Sequence, residues 1–397
     1  MNFKIPFSGR AHLYTQDEVD EVSEVMKSAK TLTQGKYQEE FQKKLSSYLG
    51  VDQIYTLNNA TAALELTAQL CQFKSDDEII IPAHTYTATA YPFLKKGAKI
   101  CWADINPKTR VVDTKTIEAC ITKKTKVILV VHLYGYCADM YSIMKLAKKY
   151  NLLVVEDVAQ ALGTKIDNKF AGTFGDFGIF SFHSHKNIST LGEGGALFVK
   201  DPKMSNIIPM LRHNGHCLFN YEREHYWIPA MGNLDFPMLN DQFLWPNNFC
   251  LGEVECALGI KLIDRLDVIN NDKRLRALRF IDAMKGFSQL EFHRVSTQQH
   301  NYHLLVAKMT DGNRNIFIEK MAIAGVQCVV QYYPLYRYDL YKKAGYGEAY
   351  CPVTDHFFDN MVSFPFQHAL TDGEFLEMIK ITKNAVSYTH LTLPTIY

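Results

Sequence analysis

Short, continuous apolar runs rich in β-branched residues alternate with amphipathic stretches through the first two-thirds of the chain. The runs at 54–57, 78–82, 99–105, 126–133, 152–156, 178–182 and 196–199 predict strands. Between them, apolar residues recur at helical spacing over 60–71, 114–122 and 140–150. Strands that are apolar throughout, rather than alternating, fit a sheet covered on both faces. Helices between such strands predict an α/β sandwich around a seven-stranded, mostly parallel sheet. The texture changes after Gly259. Residues 261–284 are charged and helical, with Ile263, Leu266, Ile269 and Leu275 at turn-related spacings, which predicts a long helix bridging two domains. Segments 302–309 and 327–332, with helices between them, then predict a smaller α+β domain. The expected division is a large domain with an N-terminal arm over 1–260 and a small C-terminal domain over 261–385. Residues 386–397 (VSYTHLTLPTIY) break the preceding helical pattern. They resemble translated sequencing-adapter read-through and are expected to be a non-native tail.

Composition narrows the function classes. With 397 residues, 47% hydrophobic and 21% charged, the chain can bury a sizeable core. A net charge of +1 and the lack of a long basic tract argue against nucleic-acid or membrane-surface binding. The opening MNFKIPFSGR lacks the apolar core of a secretory signal. The nine cysteines are scattered and form no CxxC pair, which predicts reduced thiols in a cytoplasmic protein rather than a zinc ribbon or disulfide framework. No metal-ligand spacing is evident.

Four segments carry candidate chemistry. In FSFHSHKNISTLGEGG (180–195) a strand delivers Ser181, then Lys186, then a glycine-rich turn. A lysine amine becomes a nucleophile where its surroundings lower its pKa, and imine formation with an aldehyde cofactor uses such an amine. A surface lysine before an ordinary turn is the plain alternative. In LLVVEDVAQA (152–161) an apolar strand ends on Glu156 and Asp157, the end at which open α/β sheets bind ligands. Asp157 is a candidate to face a pyridine nitrogen, or else a helix-capping acid, and Gln160 lies one turn on. In LNNATAAL (57–64) a strand turns into a helix through Asn59, Ala60 and Thr61, whose free N–H groups with Ser181 suit a phosphate. In PAHTYTATA (82–90) Tyr86 follows another strand end, placed either to stack on a flat ring or to pack in the core.

Taken together and in this order, the segments resemble the DegT/StrS-type nucleotide-sugar aminotransferases of the aspartate-aminotransferase superfamily. The likeness runs from Thr33-Gln34-Gly35 to Pro365 and includes His132-Leu133-Tyr134-Gly135, Arg212-His213-Asn214-Gly215 and Ala257-Leu258-Gly259. The resemblance implies fold type I and pyridoxal 5'-phosphate (PLP) as cofactor. It also implies that Lys186 is the Schiff-base lysine and proton shuttle, that Asp157 pairs with the ring nitrogen and Gln160 with the ring oxygen, and that Tyr86 stacks. Ala60, Thr61 and Ser181 would hold the phosphate, with Asn248 contributed by the other subunit of a homodimer. The implied reaction moves an amino group from an amino acid, L-glutamate by expectation, to a nucleotide-linked keto-sugar.

Three positions depart from the family's usual pattern. Cys250 stands where an arginine is usual, Ala60-Thr61 replaces Gly-Thr, and Leu191 is an extra residue before the GEGG turn. His185, beside the lysine, keeps open a second reading, because a branch of the family has histidine at the lysine position and dehydrates 4-keto-6-deoxy sugars. A third reading is a PLP-binding regulatory protein without turnover. It is disfavoured by the presence of both Lys186 and Asp157 and by the lack of room for a DNA-binding module.

Overall fold

The computed structural model describes residues 3–219 and 232–387. Its centre is a seven-stranded sheet of β1 (Ile54–Leu57), β2 (Glu78–Pro82), β3 (Lys99–Ala103), β4 (Thr125–Val131), β5 (Leu153–Asp157), β6 (Phe177–Ser181) and β7 (Gly195–Val199), in the order β1-β7-β6-β5-β4-β2-β3. Only β7 runs against the others. The central strands are buried along their length, as their unbroken apolar sequence requires.

This topology gathers distant segments at one edge. The C-terminal ends of β2, β4, β5, β6 and β1 share that edge with the N-terminal end of the reversed β7. Helix α3 (Ala60–Leu70) starts there directly after β1, preceded by Asn59, whose Oδ1 accepts the Ala62 N–H at 2.8 Å. Gly195 is needed at this junction: a Cβ on it would lie 2.5 Å from the carbonyl carbon of Asn59 and 2.6 Å from the nitrogen of Ala60. Strand β7 can therefore press its bare backbone against the start of α3.

Helices α1 (Gln16–Ser28) and α2 (Lys36–Leu49) pack on α5 (Glu253–Ala283), while α4 (Met140–Tyr150) lies beside β5. Helix α5 starts well before residue 261, and the reason is local. The Glu253 carboxylate accepts the N–H groups of Tyr37 and Gln38 at 2.9 and 3.1 Å, so its first turn is tied to the start of α2. The helix then runs straight through Gly259, where the missing side chain admits the Phe41 ring. The first half of α5 packs into the sheet's core, through Leu262, Leu266 and Ile269. Its last turns pack into a second core, through Ala277, Phe280 and Ile281.

That second core surrounds a three-stranded sheet of β8 (Leu290–Phe292), β9 (Leu305–Met309) and β10 (Met361–Phe364), with α6 (Arg314–Ile323) and α7 (Asp372–Ser387). Segment 327–332, expected as a strand, makes only an isolated bridge between Val329 and Ser363, because the chain then turns Gln331 and Tyr332 into a cavity at the main sheet's edge. Val386 is buried in this second core, whereas 388–397 lie outside the described residues. Among the described residues no helix is long and apolar enough to cross a membrane.

Candidate active site

The gathered edge opens into a cavity of about 450 Å³. Ala60, Thr61, Tyr86, Asp157, Gln160, Ser181 and Lys186 all line it. Of the site residues expected from sequence, only Asn248 is not brought there. It sits in an antiparallel bridge with His213.

Alternation along β5 explains how two adjacent acids come to face opposite ways. Asp157 faces the cavity. Its Oδ2 accepts the Thr89 hydroxyl at 2.9 Å and its Oδ1 accepts the Ala159 N–H at 3.1 Å. Burial pushes its pKa up, opposed by those two hydrogen bonds and by the charge of Lys186. Glu156 points the other way and is saturated with donors. The N–H groups of Phe174 and Gly175 reach Oε1, and the Gly172 N–H and His132 Nε2–H reach Oε2, at 2.7–3.0 Å. The Ala138 N–H donates to His132 Nδ1, which leaves Nε2 as the protonated nitrogen. Beneath Asp157, the sheet edge is thus fastened by a carboxylate with four partners.

The Lys186 amine has no hydrogen-bond partner among the described residues, while its backbone N–H donates to the His183 carbonyl at 2.8 Å. Burial lowers its pKa from 10.5 to about 8, and Asp157 opposes the drop. A tenth or so of such an amine is neutral at pH 7. His185 also lines the cavity, but it is exposed and lies against Gly9, whereas Lys186 is half-buried.

Gln160 is oriented by its neighbours. Its Oε1 accepts the Tyr134 N–H at 2.7 Å and its Nε2 donates to the Tyr332 hydroxyl at 3.0 Å, which leaves one N–H uncommitted. Tyr134 in turn donates to the Gln331 carbonyl at 2.8 Å and contacts His84 Nε2 at 2.6 Å. Tyr86 is 57% exposed and stands edge-on to Tyr332, with ring centroids 6.0 Å apart. Ala60 and Thr61 present N–H groups that no described residue accepts.

These groups fit a phosphorylated pyridine aldehyde. They include an amine with a lowered pKa, a buried carboxylate, open N–H groups at the start of an eleven-residue helix and a flat ring at the mouth. Residues 13–382 match the profile of the DegT/DnrJ/EryC1/StrS aminotransferase family. The chain belongs to this family. Among its relatives, a UDP-4-amino-4,6-dideoxy-N-acetyl-beta-L-altrosamine transaminase from Campylobacter jejuni is 30% identical over 374 residues, spanning 91% of this chain and 93% of the relative. PseC of Helicobacter pylori, an aminotransferase involved in pseudoaminic acid biosynthesis, superposes with a TM-score of 0.86 at 25% identity, covering 98% of this chain and all of PseC. Spr1654 of Streptococcus pneumoniae, solved in its pyridoxamine phosphate (PMP) form, superposes with a TM-score of 0.85 at 27% identity, covering 97% and 99%. The protein is a PLP-dependent sugar aminotransferase of fold type I, as the family and these neighbours together show.

The sequence reading missed Thr89, His84 and the roles of His132 and Glu156. A second acid next to Asp157 in an otherwise apolar strand was the available signal for Glu156. Thr89 left none, because its role depends on a strand far away in sequence. Cys250, in place of the family's usual arginine, is half-buried and directs its thiol to the Arg212 carbonyl at 3.5 Å.

Proposed function

We propose that this enzyme takes an amino group from L-glutamate and delivers it to a keto-sugar carried on a nucleoside diphosphate, with Lys186 as the cofactor-anchoring lysine. The reading rests on one observation above the others: a half-buried Lys186, whose amine has no partner among the described residues, shares one cavity with a buried, doubly hydrogen-bonded Asp157. The relatives named above support the substrate class.

PLP, when bound, supplies an electron sink and carries the amino group between the two substrates. Every other task falls to the chain. Ala60 and Thr61 N–H groups with the Thr61 and Ser181 hydroxyls hold the phosphate. Asp157, hydrogen-bonded by Thr89 and Ala159, would pair with the ring nitrogen and keep it protonated. Gln160 would offer its remaining N–H to the ring oxygen, and Tyr86 would cover the ring. The Lys186 amine takes a proton from the substrate carbon that bears the nitrogen, a task suited to a group with a pKa near neutral.

Asn248 belongs to the partner's cavity in this reading, so two copies complete each other's phosphate sites. Its segment supports this, since nearby Met238, Phe243 and Trp245 expose half or more of their surface. All nine cysteines are free thiols, in keeping with a cytoplasmic enzyme. The test is the release of 2-oxoglutarate from L-glutamate by the loaded enzyme. Stoichiometric release alone, and continuous release once a nucleotide-linked 4-keto-6-deoxy sugar is added, is the expected result. No release with any amino acid would overturn the transaminase reading.

A further inference from the structure

A chain of amides runs from the core to the cavity beside Lys186, and its polarity can be read from one fixed end. The Leu162 carbonyl can only accept, so the group it meets at 2.9 Å is the Asn270 NH₂. Asn270 Oδ1 is then the acceptor for the Asn187 NH₂ at 2.7 Å. Asn187 Oδ1 in turn faces His303 Nδ1 at 3.4 Å, and that nitrogen must carry a proton to bond with it. A neutral imidazole with its proton on Nδ1 has a bare lone pair on Nε2. His303 Nε2 has no partner among the described residues, and His303 lines the cavity together with Lys186. The two residues also flank a small adjoining void with Gln160 and Ser181. Burial above all, with the neighbouring lysines adding to it, holds the His303 pKa well below its ordinary value, so the ring stays neutral. Its backbone is pinned too, because the Lys273 amine donates to the His303 carbonyl at 2.9 Å.

We infer that His303 is a positioning residue whose Nε2 accepts an N–H of the Lys186 amine, its tautomer being set by Asn187 and Asn270. This deepens the reading of Lys186 given above and rests on it. A lysine amine has two N–H groups and one lone pair. Committing one N–H to Nε2 restricts where the lone pair points, which matters for a group that must meet a substrate carbon within a narrow range of geometry. With the opposite tautomer, the Nε2–H would compete for that lone pair and block it. The hydrogen bonds that set the tautomer come from α5 and from the residue next to Lys186, so they move with the lysine.

The test uses the full-length, PLP-loaded protein labelled with ¹⁵N-histidine, with the His303 signals assigned by their loss in His303→Gln. The expected spectrum shows His303 protonated on Nδ1 and bare on Nε2 between pH 6 and 9, and Asn187→Leu gives a mixture of tautomers. In Asn187→Leu, kcat is expected to fall about tenfold with KM for both substrates within about twofold, the signature of a loss confined to the reacting geometry. A proton on Nε2 in the wild type, or a cationic ring over this pH range, overturns the inference. So does an Asn187→Leu variant with unchanged tautomer and unchanged kcat. Borohydride trapping of PLP on Lys186 in the same sample separates the two levels. Trapping with the wrong tautomer refutes the relay alone, and absence of trapping refutes the functional reading beneath it.

Discussion

At the scale of single residues, what distinguishes the site is a buried carboxylate held by two hydrogen bonds beside an amine that has none among the described residues. In its proposed role Asp157 must be ionised to keep the ring nitrogen protonated, yet burial raises its pKa, so activity should be lost as pH falls through that value. Thr89→Val removes one of its two hydrogen bonds. A bond to a charged group is worth about 1.5–3 kcal/mol, so the acid limb of the kcat–pH profile should move up by about one unit or more. An unmoved limb would show that Thr89 does not hold Asp157. The extra residue Leu191 adopts a left-handed conformation, φ 61°, while 46% exposed. Leucine is strained there, so Leu191→Asn should raise stability by about 1 kcal/mol in urea unfolding. Lys186, Asp157 and Gln160 were legible because their sequence neighbours form motifs of fixed spacing. Thr89 and His84 were not assigned roles, since each acts through a partner remote in sequence.

Among the elements, two glycines are required by close approach and should separate stability from cofactor binding. Gly259 on α5 lets the helix meet α2, and a Cβ there would lie 2.4 Å from the buried Phe41 ring. Gly259→Ala should cost about 1–3 kcal/mol of stability while the Kd for PLP stays unchanged. Gly195→Ala instead pushes backbone against backbone at Asn59 and Ala60, so PLP affinity should fall together with stability. Equal effects of the two variants on PLP affinity would contradict the phosphate assignment. The seven strands of the main sheet could be placed from sequence because both of their faces are buried and their apolar runs are unbroken. The start of α5 was misplaced, because Gly259 reads as a break until Phe41 is seen filling its space. Segment 327–332 is apolar enough for a strand, but a single bridge is all it makes before turning into the cavity.

Across the whole molecule, α5 couples the two cores, and Lys273 lies buried where they meet. Its amine donates to the carbonyls of His303 and Phe366 and pairs with no carboxylate among the described residues, and burial lowers its pKa from 10.5 to about 7. Between these values the unfolded chain binds a proton that the folded chain does not. Stability should therefore rise with pH from about 7 towards 10.5, by up to about 1.4 kcal/mol per pH unit from this group. Lys273→Met should remove that rise, seen as a shrinking difference between wild type and variant as pH falls. An identical pH dependence would mean that Lys273 keeps its charge inside the fold.

The central claim is that Lys186 anchors the cofactor, and one experiment tests it most directly. The protein is loaded with PLP, its visible absorbance is recorded, and it is then reduced with borohydride and digested for mass spectrometry. The account predicts a visible band that L-glutamate bleaches, and a cofactor mass fixed on the peptide carrying Lys186. Both the band and the fixed mass should be absent from Lys186→Ala. A label on another lysine, or a band that survives in Lys186→Ala, would contradict it.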